Sequence, residues 1–277
     1  MSVAGVGLHS GAPTRVELRP SAPGSGRRFT FSGGGGLAAR LEAVEDTQFA
    51  TTLASPGPDG ASQRVRTVEH LLAALVGQGL DDVEIAVEGG EIPALDGSAG
   101  PWVALLGEAG AAASAVPRQV MVVEAPVEVR LGGRWARLSP APCLCLDLRV
   151  DYDHVAIGTQ HIRVAFDGPE VFSREIAWAR TFGFLRDVDA LRAAGLARGA
   201  SLENVVVYGS DGVLNPGGLR AADEPVRHKA LDLLGDLALL GCPLRGQLET
   251  DLPGHTLSRA LMEALLREPK AWRMIEG

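Results

Sequence analysis

One stretch, LRAADEPVRHKALDLLGDLALLG at residues 219–241, restricts the architecture more than any other. Its second half sets Leu231, Leu233, Leu234, Leu237, Leu239 and Leu240 around nearly every side of a helix. A helix apolar almost all round belongs in a core. The same helix nevertheless carries His228, Asp232 and Asp236 at four-residue intervals. Positions i and i+4 share a face, so His228 and Asp232 point the same way, whereas Asp236 drifts roughly 80° around the axis. Burying a charge without compensation is costly, so these groups must be paired, hydrogen-bonded or bound to a metal.

The whole chain has 277 residues, room for two ordinary domains or one large one. With 46% hydrophobic and 22% charged residues, its balance is that of a soluble globular protein. A net charge of −8 argues against a general nucleic-acid binder, which needs a basic surface. No basic segment leads into an apolar run at the start, and no apolar run is long enough to span a bilayer. Neither secretion nor a transmembrane segment is therefore expected, and a cytoplasmic location is. Cys143, Cys145 and Cys242 are odd in number, and CLCLDLRV contains the first two. They read as reduced, buried strand residues rather than zinc ligands.

Alternation and β-branched runs predict strands in TRVELRP, DDVEIAVEG, RQVMVVEAPVEVRL, RWARLSP, CLCLDLRVDYD, QHIRVAF, ENVVVYG and RGQLETDL. Helices are expected in TVEHLLAALVGQG, PWVALLGEAGAA, SREIAWAR, DVDALRAAG, the 219–241 segment and LSRALMEALLREPKAW. The run at Gly33–Gly36 and SPGPDGASQ read as turns. The chain also echoes itself: VEHLLAALVGQGL and VRHKALDLLGDLAL share valine, histidine, leucine and glycine in register, with Ala74 standing where the second copy has Asp232. We read two copies of one fold, each supplying one histidine, and place a boundary in the small-residue run AGAAASAVPR. The expected class is α+β.

Three protein ligands with one position left for water are typical of hydrolytic zinc sites. His228 and Asp232 offer two ligands from one helix, and His70 is the natural third from the other half. Glu69 is a candidate general base; if Thr67 caps its helix, the positive helix end favours ionised Glu69 and neutral His70. His255, after a Pro-Gly turn, suits a general acid, while Thr181 and Lys229 are candidate oxyanion donors. His9 is a turn histidine with a weaker claim, and His154 and His161 read as surface or strand residues.

Taken together, GVGLHSG, TVEHLLAAL, EIPALDGSA, ARTFGF, VLNPGGLR, DEPVRHKALDLLGDL and GHTLSRAL resemble the UDP-3-O-acyl-N-acetylglucosamine deacetylases, zinc amidases of lipid A synthesis. The runs occur in that family's order and span almost the whole chain. The resemblance implies zinc on His70, His228 and Asp232, Glu69 as base, His255 as acid oriented by Asp236, and Thr181 with Lys229 at the oxyanion. It implies two similar sheet-and-helix domains, residues 1–114 and 115–277, packed with helix layers inward around a cleft. An insert at about residues 183–207 would form the acyl passage, with Phe182, Phe184, Val188, Leu191 and Ser201 as candidate linings. Phe49 and Ala50 fall near the metal, His9 near the substrate, and Asp151, Tyr152 and Arg134 near its nucleotide end. The implied partner is an acylated UDP-sugar met by a monomer, with transient membrane-surface contact left open.

Two histidines and a carboxylate accept zinc or ferrous iron alike. Family members usually carry a strand before the first glycine motif, where only MSVA stands here, so a missing edge strand is expected. Three other readings compete: a deacylase of a different amino sugar, a non-catalytic binding protein on the same scaffold, and a small-molecule kinase. The last needs a phosphate loop that the GGGGL run, without strand, helix and lysine context, does not supply.

Overall fold

The computed structural model describes residues 1–58 and 60–277. The first part of the chain contributes β1 (Ser2–Val6), β2 (Pro13–Pro20), β3 (Arg27–Phe31), β4 (Gly36–Ala38), β5 (Val44–Asp46), β6 (Thr52–Pro56) and β7 (Ser62–Val65). Helix α1 (Glu69–Gly77), β8 (Val83–Glu88) and α2 (Gly100–Ala109) follow. After residues 110–118, which form neither helix nor strand, come β9 (Gln119–Val123), β10 (Val127–Leu131), β11 (Arg134–Ser139), β12 (Leu144–Tyr152) and β13 (Gly158–Phe166). The chain continues through α3 (Pro169–Glu175), β14 (Phe182–Phe184), α4 (Val188–Ala193), β15 (Val206–Tyr208), α5 (Glu224–Leu237), β16 (Leu244–Asp251), α6 (His255–Arg267) and β17 (Trp272–Glu276).

The two main sheets repeat one topology. The first runs β1-β2-β8-β3-β4 and the second β10-β11-β16-β12-β13, with β9 pairing on β16 and β17 on β9. In each, the strand after the buried helix pairs antiparallel on one side (β8 with β2, β16 with β11) and parallel on the other (β8 with β3, β16 with β12). The echo between residues 68–80 and 226–239 is therefore the trace of a repeated unit, and the fold is α+β. Alternation turns Val16, Leu18, Ile85 and Val87 of one sheet, and Leu138, Leu146, Leu148 and Leu248 of the other, into one continuous core. Short elements escaped the sequence reading for a physical reason: β3 to β7 are three to five residues long.

Three expectations need correction. The edge strand is present: Ser2–Val6 pairs with β2, and because none of its residues is fully buried it leaves no hydrophobic signature. The helix expected in SREIAWAR begins earlier, at Pro169, and ends at Glu175, its opening favoured by proline in the first turn. Helix α6 stops at Arg267, so AW belongs to the turn and start of β17. The turn expected in SPGPDGASQ joins β6 to β7, its Asp59 lying outside the described residues. Of the cysteines, Cys145 is buried in β12, while Cys143 and Cys242 are half-buried outside strands; all are free.

Helix α1 is buried from Glu69 through Leu75 because it packs on α2 and α5 together. It ends where Gly79 takes φ +70, letting Leu80 and Gly79 donate back to Leu75 and Val76. Its crossing with α5 is close enough that a Cβ on Gly235 would collide with the backbone carbonyl of Glu69. Gly77, which stands in the register of Gly235, presses likewise on the Phe172 ring. Gly235→Ala is thus expected to cost about 1–3 kcal/mol by overpacking. Gly107→Ala, where a Cβ meets open space, should be neutral or stabilising by up to about 1 kcal/mol. Denaturant midpoints of the two variants check both.

Candidate metal centre and acid–base cleft

The α1–α5 crossing brings together side chains from both repeated units. His70, His228 and Asp232 present ligand atoms all within 4.8 Å of one another. His228 Nε2 lies 3.2 Å, and His70 Nε2 3.5 Å, from the same oxygen, Asp232 Oδ1. The rings meet edge-on, with centroids 4.9 Å apart. His228 Nδ1 lies 3.0 Å from the carbonyl of Ala179, to which it can only donate, leaving Nε2 with a free lone pair for a cation. Burial lowers the His228 pKa, favouring the neutral form that a ligand needs. Burial alone would raise Asp232, but His228 and Lys229 beside it hold its carboxyl well below the usual range. Two imidazole nitrogens and one carboxylate oxygen converging in this way suit a divalent transition metal.

Lys229 is placed differently from a free oxyanion donor. Its Nζ donates to Asp232 Oδ2 at 2.8 Å and sits 5.6 Å from the centroid of the Phe182 ring. The ammonium thus turns Asp232 Oδ1 toward the histidines, and two of its three N–H groups remain for other partners.

Beside these three lies an acid–base pair. His255 Nδ1 contacts both oxygens of Asp236, at 3.0 and 2.9 Å, and its Nε2 lies 3.8 Å from Glu69 Oε1. Asp236, rotated off the His228–Asp232 face, serves His255 rather than the ligand cluster. Burial pushes Glu69 up to about 7, against the pull of His255, so the helix start does not dominate as expected. Burial alone would depress His255, but Asp236 overrides it and raises the pKa to about 10. Thr67 is not a cap. Val68 occupies that position, and Thr67 takes φ +57 with its hydroxyl on Glu91 Oε1 at 3.0 Å.

Glu91 was absent from the sequence candidates although it is fully buried. Its carboxylate accepts the backbone N–H groups of His9 and Ser10 at 2.8 and 2.9 Å, fastening GVGLHSG to the approach of α1. Thr51, equally overlooked, donates its hydroxyl to Asp236 and its N–H to Glu69. Each is polar and buried, but its partners lie far away in sequence, so neither spacing nor periodicity marks it.

Glu69, His70, His228, Lys229, Asp232 and His255 open into a cleft of about 990 Å³, with Asp236, Glu91 and Thr51 buried outside its lining. Its walls include His9, Phe49, Arg134, Tyr152, Thr181, Phe182, Phe184 and Leu191 together with Glu69, Lys229 and the ligand cluster. Four of the candidate substrate contacts do not line it. Ala50 is buried behind Phe49, Val188 is half-buried, Ser201 is exposed, and Asp151 is exposed in a pair with Arg149 and Thr159. Strands β14 and β15 are parallel and linked through α4, so Phe182 and Phe184 enter the wall from a small βαβ insert. Thr181, immediately before it, is anchored by its backbone to Gly97 and Val206; its hydroxyl makes no hydrogen bond among the described residues.

Residues 1–267 match the family model described as UDP-3-O-acyl N-acetylglycosamine deacetylase. The chain belongs to that deacetylase family. Relatives named UDP-3-O-acyl-N-acetylglucosamine deacetylase include one from Anaeromyxobacter sp. (strain Fw109-5), 45% identical over 99% of this chain and 89% of its own. Another, from Phenylobacterium zucineum, is 46% identical over 98% of this chain and 92% of its own. That from Myxococcus xanthus is 43% identical over 99% and 86%. In this deacetylase-family chain no helix among the described residues is long and apolar enough to cross a membrane.

The raised pKa of His255 fixes the sign of a pH effect in metal-free protein. A proton held more tightly by His255 in the folded state stabilises it fully below the unfolded value of 6.5, and that contribution is lost as pH rises through about 10. Stability of metal-free protein should therefore fall between those limits, and His255→Asn should flatten the decline in denaturant titrations across pH.

Proposed function

We propose that this chain hydrolyses the N-acetyl group of UDP-3-O-acyl-N-acetylglucosamine, giving acetate and the UDP-3-O-acyl-glucosamine of early lipid A synthesis, in the cytoplasm. The observation that carries the reading is the opening of the His70–His228–Asp232 cluster and the Glu69–His255 pair onto one cleft. Zinc is the preferred ion, with ferrous iron chemically acceptable to the same donors. Bound there, it would supply a Lewis acid that polarises the amide carbonyl and acidifies water.

The side chains account for the remaining steps. Glu69 takes a proton from the attacking water as its oxygen bonds to the acetyl carbon. Its pKa of about 7 suits a base working near neutrality. The hydroxyl of Thr181 and the N–H groups of Lys229 not engaged by Asp232, without other partners among the described residues, donate to the developing oxyanion. His255, kept protonated by Asp236, gives its proton to the amine nitrogen as the carbon–nitrogen bond breaks. Phe182, Phe184 and Leu191 offer an apolar wall for the acyl chain, and Arg134 with Tyr152 a polar one for the nucleotide.

Acetate release from UDP-3-O-acyl-N-acetylglucosamine, with metal content measured on the same samples, tests the reading. Asp232→Ala should lose both metal and turnover. Glu69→Ala should keep metal and lose about 10²–10⁴-fold in kcat. A wild-type protein that holds metal but releases no acetate would point to a different amide.

A further inference from the structure

Thr51 is almost wholly buried, at 1% exposure, yet all its polar groups are engaged with the acid–base machinery or the start of α1. Its N–H donates to Glu69 Oε2 at 3.1 Å, and its carbonyl accepts from the N–H of Val68 at 3.4 Å. Its hydroxyl donates to Asp236 Oδ1 at 2.7 Å. Among the described residues the Asp236 carboxylate accepts from Thr51 and His255 alone. Two donors arriving from different elements remove the carboxylate's freedom to rotate, and with it the freedom of the His255 ring.

The loop that delivers Thr51 is itself built. Asp46 Oδ1 accepts the N–H groups of Thr47 and Gln48 at 2.8 and 3.0 Å, closing a turn. Phe49 then adopts φ +64, a conformation that costs energy outside glycine and reverses the chain toward the interior. The Thr47 hydroxyl lies 2.9 Å from that of Thr256, next to His255 on α6. One loop thereby touches α1, α5 and α6 at the residues beside the chemistry.

We propose that Thr51 is a positioning residue, its hydroxyl fixing Asp236 and hence the direction in which His255 Nε2 faces Glu69. A threonine retained only for packing would be served equally by valine, which has the same shape without the donor. Thr51→Val leaves the backbone N–H on Glu69 and deletes the hydroxyl alone. Thr51→Ser deletes the methyl and keeps the hydroxyl.

The test pairs kinetics with proton NMR of the hydrogen-bonded His255 Nδ1–H, assigned by its loss in His255→Asn. The kinetic arm rests on the deacetylase reading, and the spectroscopic arm does not. Thr51→Val should lower kcat about ten- to hundredfold, with KM within about twofold and metal content unchanged. Its Nδ1–H resonance should shift or broaden, while Thr51→Ser should keep the wild-type resonance and a rate within about threefold. The proposal is overturned if Thr51→Val leaves resonance and kcat unaltered, if it loses metal, or if serine is as damaging as valine. If wild type releases no acetate, the deacetylase reading falls and the resonances alone decide the role of Thr51.

Discussion

The backbone-to-backbone approach of α1 and α5 at Gly235 is the contact on which the rest depends. Helices bearing ordinary side chains at their crossing lie about 8–10 Å apart. Gly235 lets the carbonyl of Glu69 sit where a side chain would otherwise stand. That closeness lets an imidazole at the start of one helix reach a carboxylate two turns into the other. It also holds the first turn of α1 from behind, so that the Glu69 side chain is directed by backbone packing before any hydrogen bond is considered.

Around this crossing, buried charge is matched over long sequence separations. Glu91 binds the first glycine-rich turn, and Glu224 binds Arg180 through Nε at 2.8 Å while accepting backbone N–H groups of Arg180 and Arg220. Asp232 has Lys229 and two histidines, and Asp236 has Thr51 and His255. Burial alone would raise the carboxyls of Glu91 and Glu224, yet their donors hold both below the ordinary value. Glu69 differs: burial, reinforced by Asp232 and Asp236 nearby, outweighs the pull of His255 and leaves its carboxyl near 7. Complete satisfaction in the supporting network and incomplete satisfaction at one carboxylate are what separate scaffold from reagent here.

Much of the site could be read directly from local pattern. The four-residue spacing of His228 and Asp232 within a leucine-rich run demanded a partner, and the echo around His70 supplied one. The long alternating strands β2, β8, β12 and β16 were equally plain. What stayed hidden was whatever depends on distant contacts. Thr67 looked like a helix cap, but Glu91 draws it into a left-handed turn instead. Thr51 and Glu91 looked like ordinary loop residues because their partners lie on other elements. Val188, Ser201 and Asp151 were assigned by resemblance, and none of the three lines the cleft. Strand β1 left no trace because an edge strand with no fully buried residue carries no alternation to read.

Ala74 holds the register position that Asp232 fills in the second repeat, and it is completely buried among apolar neighbours. A perfectly duplicated unit would bring two histidines and two aspartates to the crossing, four donors around a single cation. Such a sphere is filled by protein alone, the condition of a structural metal, and its two carboxylates would cancel a divalent charge outright. With alanine at one position, an ion held by His70, His228 and Asp232 would keep an open position and one unit of positive charge to place there. On the proposed reading, it is this asymmetry of the repeat, alanine in one half and aspartate in the other, that would leave room for a substrate beside the ion.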